Sequence, residues 1–201
     1  MSFSLRVRKL QEHLGVGADG IIGNETLTAI ERELFGHDSS SLSTISFRDR
    51  LVFIACAETG TKEVGDNGGD RVREYQAATW LEPSAWPWCA AFICWIVREA
   101  MSDSEKFTRP RTAGAWDFEN WARGKHGVVP GVRLIKPAAG VKAGDIVVFT
   151  FSHIGVATAD STGNSVLTVE GNTNAAGSRE GDGVWAKTRK LSQIRSIIRF
   201  D

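Results

Sequence analysis

The stretch Pro87-Trp88-Cys89-Ala90-Ala91-Phe92-Ile93-Cys94-Trp95-Ile96-Val97 decides the fold. Proline suits the first turn of a helix, because its ring fixes φ and its missing N–H would have no partner there. From Trp88 to Met101 the chain is apolar on nearly every face, which marks a helix buried at the centre of a domain. The apolar run Trp88–Val97 is only about half of the ~20 residues that a membrane span needs. A domain is therefore expected to wrap around this helix, with Cys89 one or two positions inside its start.

Before this helix, Arg48–Glu58 and Val72–Leu81 read as two more helices. The turn Gly65-Asp66-Asn67-Gly68-Gly69-Asp70 separates them. Ala115–Arg123 offers a fourth. The last third changes character. Ile146–Phe151, His153–Ala159, Val166–Glu170, Val184–Lys190 and Ile194–Phe200 are short, β-rich segments divided by Gly, Asn and Asp. Helices followed by consecutive antiparallel strands predict an α+β plan, with the buried helix against a curved sheet.

Toward the N-terminus, Val7, Leu10 and Leu14 keep the spacing of an amphipathic helix face. Asn24 can cap a second helix carrying Leu27, Ile30 and Leu34. His37-Asp38-Ser39-Ser40-Ser41 then reads as a linker. The expected organisation is a helical segment over 1–36, a linker over 37–46 and a catalytic domain over 47–201.

Bulk composition excludes several classes. The 201 residues are 42% hydrophobic and 24% charged, as in ordinary globular chains. Lys+Arg and Asp+Glu are equal at 24 each, so bulk charge gives no reason to expect nucleic-acid binding. Three cysteines imply no disulfide framework, and Cys89 and Cys94 should point to different sides of one helix. No apolar run precedes a small-residue cleavage site near Met1, so no secretory signal is expected and synthesis should be cytoplasmic. Seven Trp beside one Tyr is unusual; Trp builds cores but also lines substrate grooves.

The chemistry-bearing residues converge on Cys89. A helix N-terminus presents free N–H groups and partial positive charge, both of which favour the nucleophilic thiolate. Cys56 and Cys94 lie inside apolar helical stretches and read as structural. A thiolate needs a base that can also protonate a leaving amine. Of the four histidines, His13, His37, His126 and His153, only the last begins a strand, where backbone can fix its position. The segment Val166–Glu170 should pair with that strand as a hairpin. Glu170 or Asn172 would then lie near the imidazole, to set its tautomer and steady the imidazolium.

Four segments carry a family resemblance: Trp88-Cys89-Ala90-Ala91-Phe92, Gly144-Asp145-Ile146-Val147-Val148-Phe149, Ser152-His153-Ile154-Gly155-Val156 and Val169-Glu170-Gly171-Asn172. Together they resemble the CHAP family, the cysteine, histidine-dependent amidohydrolases/peptidases, over roughly Phe47–Phe200. The resemblance implies a papain-like (CHAP / NlpC-like) fold with Cys89 as nucleophile, His153 as base, Glu170 as the orienting residue and Asn172 as an auxiliary polar group. It implies hydrolysis of an amide bond in peptidoglycan, by an N-acetylmuramoyl-L-alanine amidase or a stem-peptide endopeptidase. The Cys89 backbone N–H is the natural first oxyanion donor. Tyr75 is the candidate for the second, and Tyr75 and Trp88 are the candidate substrate-binding residues.

The N-terminal Leu10-Gln11, Asp19-Gly20-Ile21-Ile22-Gly23 and Thr26 resemble the peptidoglycan-binding-domain family, about one repeat unit long. That pairing fits a phage or prophage endolysin, bacteriolytic after holin release. The alternatives are a type VI secreted antibacterial effector with a cognate immunity protein, or an inactive wall-binding protein. Bacterial peptidoglycan is the expected partner, with neither nucleic acid nor membrane insertion, and a monomer is the expected state. No cofactor is expected. The turn Asp66–Asp70 carries oxygen donors of the kind calcium takes, without the bidentate Glu of an EF-hand. The Cys and His spacings match no zinc motif.

Overall fold

The computed structural model describes residues 3–20, 22, 25–26, 29–30, 33, 46–102 and 105–201. The chain divides into two compact units, Met1–Ser46 and Phe47–Asp201. Among the described residues, no helix is long and apolar enough to cross a membrane.

In the first unit, helix α1 spans Phe3–Leu14. Gln11 is buried and organises the turn after it. Its side-chain amide donates to Asp19 Oδ1 at 2.7 Å and to Thr26 Oγ1 at 2.8 Å, and its carbonyl accepts from the Gly20 N–H at 2.8 Å. The Leu-Gln, Asp-Gly and Thr signals of the sequence are thus tied into one polar network. The predicted second helix and the linker at 37–41 fall largely outside the described residues.

The second unit is α+β. Helices α2 (Phe47–Ala57), α3 (Asp70–Gln76), α4 (Cys89–Ala100) and the short α5 (Phe118–Ala122) precede a six-stranded antiparallel sheet. The strands are β1 (Val132–Ile135), β2 (Ile146–Phe149), β3 (Ile154–Ala157), β4 (Ser165–Thr173), β5 (Gly183–Lys190) and β6 (Ile194–Phe200), in the spatial order β1-β6-β2-β3-β4-β5. Side chains alternate across a strand, so the sheet has two faces. Ile146, Val148, Ile154, Val156, Val169 and Ile198 join the main core with α4, while Val147, Phe149, Ala157, Val166 and Ile197 form a second, smaller core. Helix α4 packs on β3 and β4, and its residues from Cys89 to Val97 are all buried.

Three elements differ from the sequence reading. The helix expected to reach Leu81 stops at Gln76, because the backbone turns away: the Thr79 hydroxyl donates to Gln76 O, and the Trp80 N–H pairs with Arg111 O at 3.0 Å. The expected helix 115–123 begins as a 3-10 turn, Ala115–Asp117, before α5. Strand β1, which closes the sheet beside β6 through Val132↔Phe200 to Ile135↔Ile197, had no counterpart among the expected strands.

Candidate active site

The backbone brings three elements together. Cys89 opens α4 after Trp88, whose main chain is not helical. His153 stands immediately before β3. The turn that delivers it passes through Ser152 in left-handed backbone (φ 56°), and the Phe149 N–H closes it on His153 O at 2.9 Å. Glu170 lies on β4. The β3–β4 pairing sets Val156 against Val169 and Ala157 against Thr168, and one further step sets Gly155 against Glu170. A Cβ at Gly155 would come within 2.7 Å of Glu170 Cγ. Glycine there leaves the space in which the Glu170 side chain runs toward His153.

His153 and Glu170 are fully buried, and Cys89 is 6% exposed. His153 Nε2 lies 3.0 Å from Glu170 Oε2, an ion-pair contact in which the ring N–H does not point straight at the oxygen. Nδ1 likewise has no hydrogen-bond partner among the described residues, and the Cys89 side chain lies close enough to the ring to act on its charge. Burial disfavours the imidazolium, but the neighbouring Cys89 and Glu170 side chains outweigh it and hold His153 at about 9. Burial also works against the Glu170 carboxylate, yet hydrogen bonds from Arg189 and the adjacent His153 ring hold it at about 2. Phe149 and Phe151 stack near-parallel to the imidazole, at 6.0 and 5.9 Å between centroids, and limit its tilt.

Arg189 is the site residue that the sequence did not disclose. From β5 it grips the carboxylate with two hydrogen bonds: Nε to Glu170 Oε1 at 2.8 Å and Nη2 to Oε2 at 2.5 Å. The Thr168 hydroxyl donates to Oε1 at 2.6 Å. The same guanidinium lies over Phe149 and Phe151 and donates to Gly177 O at 3.0 Å. Its one sequence signal is a charged residue at a position of β5 that faces buried Val166 in register.

Asn172 does not serve the imidazole. It occupies left-handed backbone (φ 56°) where the β4–β5 register shifts, a bulge that redirects its side chain. Its Oδ1 accepts the Trp88 N–H at 3.1 Å, and its Nδ2 donates to Asn67 Oδ1 at 3.0 Å and Gly181 O at 3.1 Å. Of the two residues expected near His153, Glu170 is there; Asn172 instead braces the backbone residue just before the nucleophile candidate. Gly171 allows this approach, since a Cβ there would meet Phe92 and Trp88 at 2.8 Å.

Two expectations are corrected. Tyr75 is fully buried, stacked on Trp88, and its hydroxyl donates to Glu58 Oε2. Burial and the Glu58 carboxylate raise its pKa well above the ordinary tyrosine value, so it stays a committed donor. Trp88 is also fully buried, with its indole N–H on Glu63 Oε2 at 3.0 Å. Neither side chain offers an atom to a substrate. The other titratable candidates also lie apart from the site. Burial pushes the Cys94 thiol up, and its Sγ donates to Thr112 O; burial raises Cys56 as well. His126 pairs with Asp117 at 3.0 Å. Among the described residues, no group of three or more His, Cys, Asp and Glu is arranged to hold a metal ion.

The residues from Leu81 to Asn172, which include Cys89, His153 and Glu170, match the family model of the CHAP domain. That stretch of the chain is CHAP-like. No curated protein and no solved structure matches the chain. The CHAP domain supports a hydrolase of the peptidoglycan amidase/peptidase class, with peptidoglycan as its substrate. The matched span begins just ahead of α4 and ends at Asn172, so Arg189 on β5, which clamps Glu170, lies beyond it.

Proposed function

We propose that this CHAP domain hydrolyses an amide bond of the wall peptide by nucleophilic catalysis, with Cys89, His153 and Glu170 acting as a unit. The observation that supports this most is the buried imidazole 3.0 Å from a carboxylate, in the neighbourhood of a helix-opening cysteine. In this reading His153 takes the Cys89 proton, and the thiolate attacks the amide carbonyl carbon. The tetrahedral oxyanion is met by the Cys89 backbone N–H at the start of α4. As the C–N bond breaks, the imidazolium gives its proton to the leaving amine, and a thioester remains on Cys89. His153 then deprotonates a water that hydrolyses the thioester and restores the thiol. Glu170, itself clamped by Arg189, keeps the ring oriented and steadies the imidazolium. Asn172 holds the backbone ahead of Cys89. The reading calls for no cofactor.

The Gln11–Asp19–Thr26 network supports a further proposal, that residues 1–36 hold the enzyme on the wall and 37–46 link it to the hydrolase. A wall-binding segment joined to a wall hydrolase fits a phage or prophage endolysin that reaches the periplasm through a holin and works as a monomer. A gene neighbourhood with a holin supports this delivery; a neighbouring immunity gene favours a secreted effector instead. The bond is identified by mass spectrometry of fragments released from purified sacculi. Stem peptides freed from glycan establish an amidase, and cut cross-links or shortened stems establish an endopeptidase. Sacculi that bind the protein and release no fragment overturn the enzymatic reading.

A further inference from the structure

A polar cleft lies beside the start of α4, distinct from the buried Cys89–His153–Glu170 contact. It has a volume of about 370 Å³ and is walled by Val64, Asp66, Asn67, Arg73, Ser84 and Ala85. That size is at the lower end for sites that take small ligands. Its floor is built from the Asp66–Asp70 turn. Asn67 stands in left-handed backbone (φ 52°), and the Val64 N–H closes the loop on Gly68 O at 2.9 Å. A Cβ at Gly68 would come within 2.8 Å of Val64 O, so the tight turn requires that residue to be glycine.

Two features make this cleft more than a surface dent. The first is its connection to the reacting cysteine. Asn67 Oδ1 accepts from Asn172 Nδ2 at 3.0 Å, and Asn172 Oδ1 accepts the N–H of Trp88, the residue before Cys89. One wall of the cleft is thus two hydrogen bonds from the backbone of the residue that precedes the nucleophile, and Ala85 on another wall lies four residues ahead of Cys89. The second feature is its charge. Arg73 is exposed at the cleft, and its guanidinium has neither an ion pair nor a hydrogen bond among the described residues. Several arginines of this unit are committed: Arg48, Arg50, Arg71, Arg189, Arg195 and Arg199 each meet a carboxylate. Asp66 supplies an acceptor on the same rim, with Oδ1 receiving the Asn67 amide at 3.0 Å.

We propose that this cleft is the substrate subsite of the wall hydrolase, and that Arg73 binds a free carboxylate of the stem peptide there. A guanidinium takes a carboxylate through two parallel N–H···O bonds, which fixes direction as well as affinity. Asp66 accepts an N–H of the same peptide. The arrangement selects a peptide with a free acid group near the scissile amide and discriminates against its amidated form. This inference rests on the amide-hydrolase reading for its substrate class.

The test uses the full chain with Cys89→Ala, so that peptide binding is read without turnover. The probes are the synthetic stem peptide L-Ala-γ-D-Glu-L-Lys-D-Ala and the same peptide with every carboxylate converted to a carboxamide. Calorimetric titration should give a Kd about tenfold lower for the acid peptide. Arg73→Gln should bring the two Kd values together, and Arg73→Lys should keep part of the difference, because a point charge replaces a bidentate fork. Arg73 is exposed and unpaired, so these variants leave the core untouched. Equal Kd values in the Arg73-containing protein overturn the proposal, as does a preference that survives Arg73→Gln or an absence of binding by either peptide up to millimolar concentration. An Arg73-dependent preference in a protein whose wild type releases nothing from sacculi would instead sustain the subsite and overturn the hydrolase reading.

Discussion

Replacing Arg189 with Met isolates the most consequential buried contact in the domain. The change removes two charge-assisted hydrogen bonds, at 2.8 and 2.5 Å, from a carboxylate that is fully buried. The Arg189 side chain is itself only 8% exposed, so solvent does little to screen the pair. Breaking a buried pair by removing one partner costs about 3–5 kcal/mol, because the remaining charge stays desolvated. The Thr168 hydroxyl and His153 remain and retain part of the compensation, which puts the expected loss near the lower end, about 3 kcal/mol at pH 7. The Glu170 carboxyl, held at about 2, then rises, and the acid limb of the pH–rate profile moves up with it. With the carboxylate free to shift, the imidazole loses its fixed orientation, and kcat should fall about 10–100-fold with little change in KM. Urea unfolding and steady-state kinetics on soluble muropeptide read both effects. Adding Glu170→Gln to the Met variant should restore stability, since the orphaned charge is gone, while leaving activity low. An unchanged urea midpoint and an unchanged acid limb in Arg189→Met would refute the reasoning.

Tyr75→Phe should cost about 1 kcal/mol through the hydrogen bond lost at Glu58 and leave kcat within about twofold, as measured by urea unfolding and kinetics; a large fall in kcat would return Tyr75 to the oxyanion site. Asn172→Ala removes the acceptor of the Trp88 N–H and places alanine at positive φ, so it should lower stability by about 1–3 kcal/mol and kcat about tenfold. Asn172→Gly should recover the backbone part of the stability but not kcat, which separates strain from positioning. The His153–Glu170 pair sets a pH window. His153 rises from its ordinary 6.5 to about 9, so its contribution to stability is full below 6.5 and is lost as pH climbs through 9. Glu170 falls from 4.5 to about 2, so its contribution is present above 4.5 and is lost as pH drops through 2. Urea midpoints across pH should therefore show a plateau from this pair between 4.5 and 6.5, and His153→Gln should flatten the alkaline decline.

Much of the scaffold is legible in the sequence because it is written in periodicity. The apolar helix after Pro87 and the strand at Ile194–Phe200 lie where pattern puts them, and the pairing of Val156 with Val169 follows from two neighbouring β segments divided by a turn. The proximity of Glu170 to His153 follows from that same register. Strand β1 escapes because Val132-Arg133-Leu134-Ile135 is short and does not alternate, and it becomes a strand only by adding to β6. The helix after Gly69 stops early because a tertiary bond, Trp80 N–H to Arg111 O, claims the backbone that helical propensity would have continued. Site residues divide in the same way. Arg189 pairs in register with Val166, and its side chain runs along the sheet to reach Glu170, so local pattern carries no hint of the partner. Asn172 sits two residues past Glu170, and simple alternation would keep both on one face. The bulge breaks that alternation and sends Asn172 to the start of α4. Tyr75 and Trp88 are polar-tipped aromatics whose tips find carboxylates, the buried Glu58 and the half-buried Glu63, which no spacing in the chain announces.

Cys89 is proposed to form the bond to the wall peptide. Release of soluble fragments from purified sacculi by the Cys89→Ala protein, measured beside wild type and with folding checked by near-ultraviolet dichroism, tests it most directly. A loss of at least about 10⁴-fold in rate is expected, with the folded spectrum unchanged. Fragment release by Cys89→Ala at a rate close to wild type would contradict it.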